Sequence, residues 1–468
     1  MWPIKLACTL RGFALLIIFL GVVGCDNGTK APVAPVSNEV LAVSTQLATI
    51  AESEMPDTPV EDPKHAQNPP AEKQPAHIVV EINKRGRGFA YIAKVSDGVH
   101  VVHNKNVGKS FTEIDSSTLT LSPDGQRVAY CAKTGGKWYI VADKREYGPF
   151  DDKGPPVFSP DNRHVAFEAQ SANSWYLHVD DLKSMPQVSF FNKPAFSADS
   201  KTVLRFENTV DEKKFRIVFS SLTFGSPQTV TLQNINVIMD NGNTRIAAID
   251  RPGDKYQVKL INFSKPENVL EGSIYDAVRN LVFSPDGEHI AYVAQKGAAS
   301  YLILDGKEVA IPEGIYPWPP VMRPDYKGAG IIIVGKKGAY MHQAIFDDGI
   351  RTPQKYKECA DLTYSRDGKS HAYVAIRNER FLIVTNGVEG PMFDRVISPQ
   401  FSPDGKLLIY RARQDGKRFV VVADSTGKII RQHPGYERVF DTTFTEDGKS
   451  VAYGVKEGNQ LWWKVEKL

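Results

Sequence analysis

Seven aspartates recur at one place in a repeating phrase: Asp124, Asp161, Asp199, Asp286, Asp367, Asp404 and Asp447. Carboxylates in such number could bind a cation or share acid and base work if they converged. Each instead belongs to its own copy of Ser-Pro-Asp-Gly or a close variant, where the side chain bonds nearby backbone amides and is needed by the turn. Gly-Lys-Ser at Gly108, Gly368 and Gly448 has the look of a phosphate loop's end, but the glycine required five residues earlier is His103, Thr363 and Thr443. Of ten histidines only His100 and His103 are close in sequence, and on a strand that spacing sends them to opposite faces, wrong for one metal. H-E-x-x-H, C-x-x-C and G-x-S-x-G do not occur. No catalytic, cofactor-binding or metal-ligating residue is therefore assigned from the sequence, and no cofactor is expected. Lys and Arg number 57 against 54 Asp and Glu, a near balance that argues against a nucleic-acid partner.

What remains chemically distinctive is a thiol. Lys5 and Arg11 precede an apolar run, Phe13 to Gly24, that is too short to span a bilayer comfortably. Val22-Val23-Gly24-Cys25 resembles the lipobox of bacterial lipoproteins. The resemblance implies that residues 1–24 are a signal peptide and that Cys25 is acylated as the mature N-terminus; an ordinary signal peptide cleaved elsewhere is the alternative. Several acyl chains on one cysteine would hold the protein at a membrane. Asp26 resembles the inner-membrane retention residue of enteric-type sorting, which implies the periplasmic side of that membrane.

Residues 25–77 read as a tether, with Pro32, Pro35, Pro56, Pro59, Pro63, Pro69, Pro70 and Pro75 and no Phe, Tyr or Trp. A coil of that length would span on the order of 40 Å. Inside it, Val40–Ile50 is apolar enough for a strand, and is expected either to close the last unit of the fold or to be tether alone.

From residue 78 to 468 the chain repeats. Clear copies are Phe283-Ser-Pro-Asp-Gly-Glu-His-Ile-Ala-Tyr292 and Phe401-Ser-Pro-Asp-Gly-Lys-Leu-Leu-Ile-Tyr410. Others start at Leu121, Phe158 and Phe444, weaker ones at Phe196, Met322 and Tyr364, and degenerate ones at Ile82 and Met239. Proline, aspartate and glycine in that order make a tight turn. The strand after it, such as Arg127-Val-Ala-Tyr-Cys-Ala132, is apolar on successive residues, so both faces are covered. A second hairpin follows in most units, as at Asp305-Gly306. Four short antiparallel strands per unit predict an all-β propeller of ten units, in one large ring or two smaller ones. This phrase resembles the propeller repeat of the TolB family and related WD-like bacterial repeats. The resemblance is specific for fold and poor for function, because such blades occur in scaffolds, lyases and regulatory domains.

Cys131 and Cys359 fall in the second unit and at the entrance to the eighth, too far apart for a disulfide, so two buried thiols are expected. Tyr316-Pro-Trp-Pro-Pro320 could be an aromatic recognition loop but aligns with the blade entry Gly154-Pro-Pro-Val-Phe158 and is read so, and Leu461-Trp-Trp-Lys464 reads as a strand whose tryptophans face opposite ways. The expected function is a membrane-anchored envelope lipoprotein whose propeller binds an envelope protein or glycan. The alternatives are an envelope enzyme of carbohydrate lyase or hydrolase type, with its site in the funnel, and a purely structural envelope component.

Overall fold

Why the repeat makes sheets is visible at its turns. In the second unit the Gly125 amide donates to the Ser122 carbonyl at 2.8 Å, and Gly125 takes φ +74°, a region open to glycine at little cost. The reversal joins strand Glu113–Leu121 to Val128–Thr134; Lys137–Ala142 and Arg145–Phe150 complete the sheet. The later hairpin uses Asp143 at φ 57°, and its carboxylate accepts the Val128 amide at 3.0 Å, tying that turn to the start of the second strand. Asp180 with Val165, Asp305 with Ile290 and Asn386 with His371 repeat this bond at 2.9 to 3.0 Å.

The computed structural model describes residues 42–49, 80–82 and, apart from short loop segments, 88–468. The leader, Cys25, Asp26 and the remainder of the 25–77 stretch lie outside the described residues. The described residues form an all-β propeller with no α-helix. Each first strand ends where the sequence starts a unit, from Ile82, Leu121 and Phe158 through to Phe401 and Phe444. First strands touch between the first and second, fifth and sixth, seventh and eighth, and eighth and ninth sheets, which places them on the inner side there.

The expectation of ten four-stranded units needs correction. Nine sheets have four strands, whereas the sheet of the third unit has five. Its first strand is broken into Asp152–Lys153 and Val157–Phe158, both paired to Val165–Ser171. Pro155 and Pro156 between them bring no backbone N–H to a ladder.

Sheets stack through alternating side chains of the second strand. Val128, Tyr130 and Ala132 pack toward the first sheet, while Ala129 and Cys131 pack toward the third. The tyrosine of the repeat is fully buried at Tyr130, Tyr292, Tyr373, Tyr410 and Tyr453. In four of these places it meets the entry aromatic of its unit edge-on: Phe111, Tyr275, Tyr356 and Phe393, with centroids 6.1 to 6.3 Å apart.

The series of interfaces returns to its start. The last sheet has three strands from the C-terminal end of the chain, and its outer edge is covered by Ala42–Thr49, antiparallel to Gln460–Lys467. Leu47 and Ala48 are buried with Leu461 and Trp463 of that sheet and with Phe89, Tyr91 and Val102 of the first. The segment singled out at Val40–Ile50 therefore closes the last sheet, and the stretch read as tether contains a strand of the body.

Candidate functional site

The seven turn aspartates do not converge. Ser122, Ser159, Ser197, Ser284, Ser365 and Ser402 each donate a hydroxyl to the aspartate two residues on, and Thr445 does so to Asp447. These hydroxyls are the leading reason that the carboxyls sit below their ordinary pKa. Each carboxylate also accepts the amide two residues further, as Asp286 does from Glu288 at 3.0 Å. In the degenerate fifth unit Asp240 replaces the serine and takes over both tasks, accepting the amides of Thr244 and Arg245 and the Thr244 hydroxyl. Among the described residues no group of three or more His, Cys, Asp or Glu is arranged to hold a metal ion.

Other residues named from sequence are also dispersed. His100 is buried and His103 reaches the Gly125 carbonyl of the next sheet at 3.1 Å, so the pair splits as strand geometry requires. Gly368 and Gly448 sit in repeat turns at φ +68° and +67°, and Gly108 donates its amide to Val101. Cys131 and Cys359 are reduced thiols in the second and eighth sheets, and burial pushes both up to about 12. Tyr316 is buried in the packing between the sixth and seventh sheets, and Asn280 donates to its carbonyl and to that of Trp318. Trp463 packs on the first sheet and Trp462 on the ninth, opposite ways as expected. Cys25 lies outside the described residues.

Two polar groupings escaped sequence reasoning. The first lies between the third and fourth sheets. Glu168 is fully buried, accepts from Gln187 at 3.0 Å through Oε1, and leaves Oε2 without a hydrogen bond. Burial is the main cause that raises its carboxyl to about 8, with Arg205 acting the other way. Arg205 and Arg216 meet Glu207 at 3.6 and 2.9 Å. The only signal in sequence is a glutamate at Glu168 where other copies have Cys131 or Val293.

The second grouping lies at the seam of the ninth and tenth sheets. Register places Arg395 opposite Arg413, and Arg413 opposite Arg418, on three adjacent strands. Directly opposed residues share a face of the sheet, so three guanidinium groups stand side by side. Arg418 donates to the Glu437 carbonyl at 2.6 Å. Its pKa is lowered first by burial and then by Arg438, Arg413 and Arg395. At the other end of these strands, where the repeat turns lie, a cleft of about 420 Å³ is lined by Arg366, Gln400, Phe401, Pro403, Thr443 and Phe444 of the eighth to tenth units.

No protein-family model and no curated protein matches the chain. Solved structures do. TolB from Acinetobacter baumannii is 15% identical over 58% of this chain and 79% of its own, with a TM-score of 0.27. An oligogalacturonate lyase from Vibrio parahaemolyticus is 11% identical over 68% and 96%, TM-score 0.31. The Dos1 propeller is 11% identical over 83% and 91%, TM-score 0.37. Superpositions this loose carry no argument; the chain's own repeat and sheets establish the fold, a β-propeller.

Proposed function

We propose that this protein is an envelope lipoprotein whose propeller, a single continuous ring of ten blades, serves as a binding scaffold for an envelope protein or glycan. The observation that supports it best is the closure of the last sheet by Ala42–Thr49. With its first and last sheets packed together the body is rigid, and many loops share two broad faces, which suits recognition. The same closure shortens the leash. Were Cys25 the acylated terminus, the path from it to Ala42 would be 17 residues, at most about 60 Å when fully extended. The body then stays near the periplasmic side of the membrane, the inner one if Asp26 acts as a retention residue.

Envelope extract passed over the immobilised 26–468 chain, read by mass spectrometry, tests the scaffold reading. A reproducible envelope protein or glycan supports it; capture no richer than on a denatured control contradicts it. Glu168 gives the enzyme alternative little help, because its carboxyl is sealed from solvent.

A further inference from the structure

Cross-strand neighbours of like charge repel, and sheets ordinarily place opposite charges there. The second sheet obeys. At the register position of Arg395 and Arg413 it has Glu113 and Lys133, 3.9 Å apart as an ion pair, and Lys133 lies over the Trp138 ring at 5.1 Å. Beside them Lys153 of the third sheet pairs with Asp115. The ninth sheet puts arginine at all three places in the row: Arg395, Arg413 and Arg418.

Nearby acidic groups are engaged elsewhere. Asp394 lies 3.7 Å from Arg380 and accepts the Asp415 amide at 2.9 Å. Glu437 binds Lys456 at 2.7 Å and the Gly458 amide at 3.1 Å. Among the described residues Arg395 and Arg413 make no ion pair, although both are half-buried. The tenth sheet adds Arg438, opposite Lys456 and over the Phe440 ring at 5.8 Å. Two residues from Arg413 along the same face, Arg411 donates to the Val439 carbonyl and the Ser398 hydroxyl.

We propose that the row Arg395, Arg413 and Arg418, flanked by Arg438, is a binding site for a glycan that carries carboxylate or phosphate groups in series. Guanidinium forks match such oxyanions with two parallel bonds each, which ammonium groups do not. Adjacent strands lie about 4.8 Å apart, so the row offers three forks spaced along roughly 10 Å. That spacing suits anions repeated along a chain better than one small ion. The row is half-buried in a seam between two sheets, a setting that admits a narrow polymer; a bilayer surface favours exposed basic residues on an open face. Binding would neutralise the repulsion built into the row.

This inference rests on the scaffold reading and names the ligand class for it. The test measures binding of a carboxylated trisaccharide of uronic acids to the full chain by calorimetry. Its fully methyl-esterified form, inorganic phosphate and acidic lipid vesicles are run in parallel. The carboxylated sugar should bind with an affinity that falls as salt rises, and the ester should not bind. Arg395→Gln and Arg413→Gln should each weaken binding roughly tenfold, while Lys133→Gln in the second sheet leaves it unchanged. Thermal melts of the unliganded variants should show equal or higher midpoints than the parent, since a repulsive pair has been relieved. Equal binding by parent and arginine variants, binding of vesicles alone, or no binding to a folded parent would overturn the proposal. If the trisaccharide fails while envelope extract still yields a partner, only this inference falls; if both fail, the scaffold reading falls with it.

Discussion

At the scale of single residues, the repeat's aspartates and Glu168 respond to pH in opposite senses. The turn carboxyls have folded pKa values below the ordinary aspartate value, held down first by the neighbouring hydroxyl. Their contribution is present above the unfolded value and is lost as pH falls through the folded one. An acid melt should therefore steepen below about pH 4, and Asp199→Ala should flatten that limb while lowering stability by about 0.5 kcal/mol, a figure reduced for the exposure of the turn. Glu168 has its folded pKa raised to about 8 from 4.5, so its contribution is full below the unfolded value and drains away as pH rises toward 8. Glu168→Gln should remove that loss, making the variant more stable than the parent at pH 8 by on the order of 3 kcal/mol; calorimetric melts at pH 5 and pH 8 check it, and an identical pH profile in both proteins would contradict it. The aspartates were legible in the sequence because their partners lie two residues away. Glu168 was not, because Gln187 and Arg205 reach it only after separate strands have stacked.

At the scale of elements, each first strand ended where the repeated phrase begins, because the turn chemistry is local and glycine and proline mark it. Strand number was less legible. The split strand of the third unit depends on where Pro155 and Pro156 fall in a ladder, and the cover on the last sheet depends on a segment more than 400 residues from its partner in sequence. Leu47 is 6% exposed against Leu461, Trp463, Phe89 and Tyr91. Leu47→Ala should destabilise by about 2–4 kcal/mol through lost burial and the cavity left behind, read as a fall in the urea midpoint. Deleting residues 39–50 should lower stability further and expose an unpaired strand edge that favours aggregation, visible by light scattering; unchanged stability would reject the role given to this strand. The arginine row was hidden for a related reason, since Arg395, Arg413 and Arg418 become neighbours only through register.

At the scale of the molecule, the proposed function has the ring held by lipid through Cys25. Metabolic labelling with palmitate should mark the parent and not Cys25→Ala, which should move to the soluble fraction; labelling that persists in the variant would contradict lipidation there. The ring itself depends on the two ends of the fold meeting, and one pair of residues reports this directly. Thr49 and Gln460 are register partners on Ala42–Thr49 and Gln460–Lys467, at a Cα separation that a disulfide accepts, about 4.5–5.5 Å for antiparallel partners. In a Cys25→Ala background, Thr49→Cys with Gln460→Cys should oxidise almost completely in the native protein, giving a compact band on a non-reducing denaturing gel that reverts with reductant. A pair that stays reduced in folded protein would show that the last sheet is not completed by the N-terminal strand, and would contradict the closed ring.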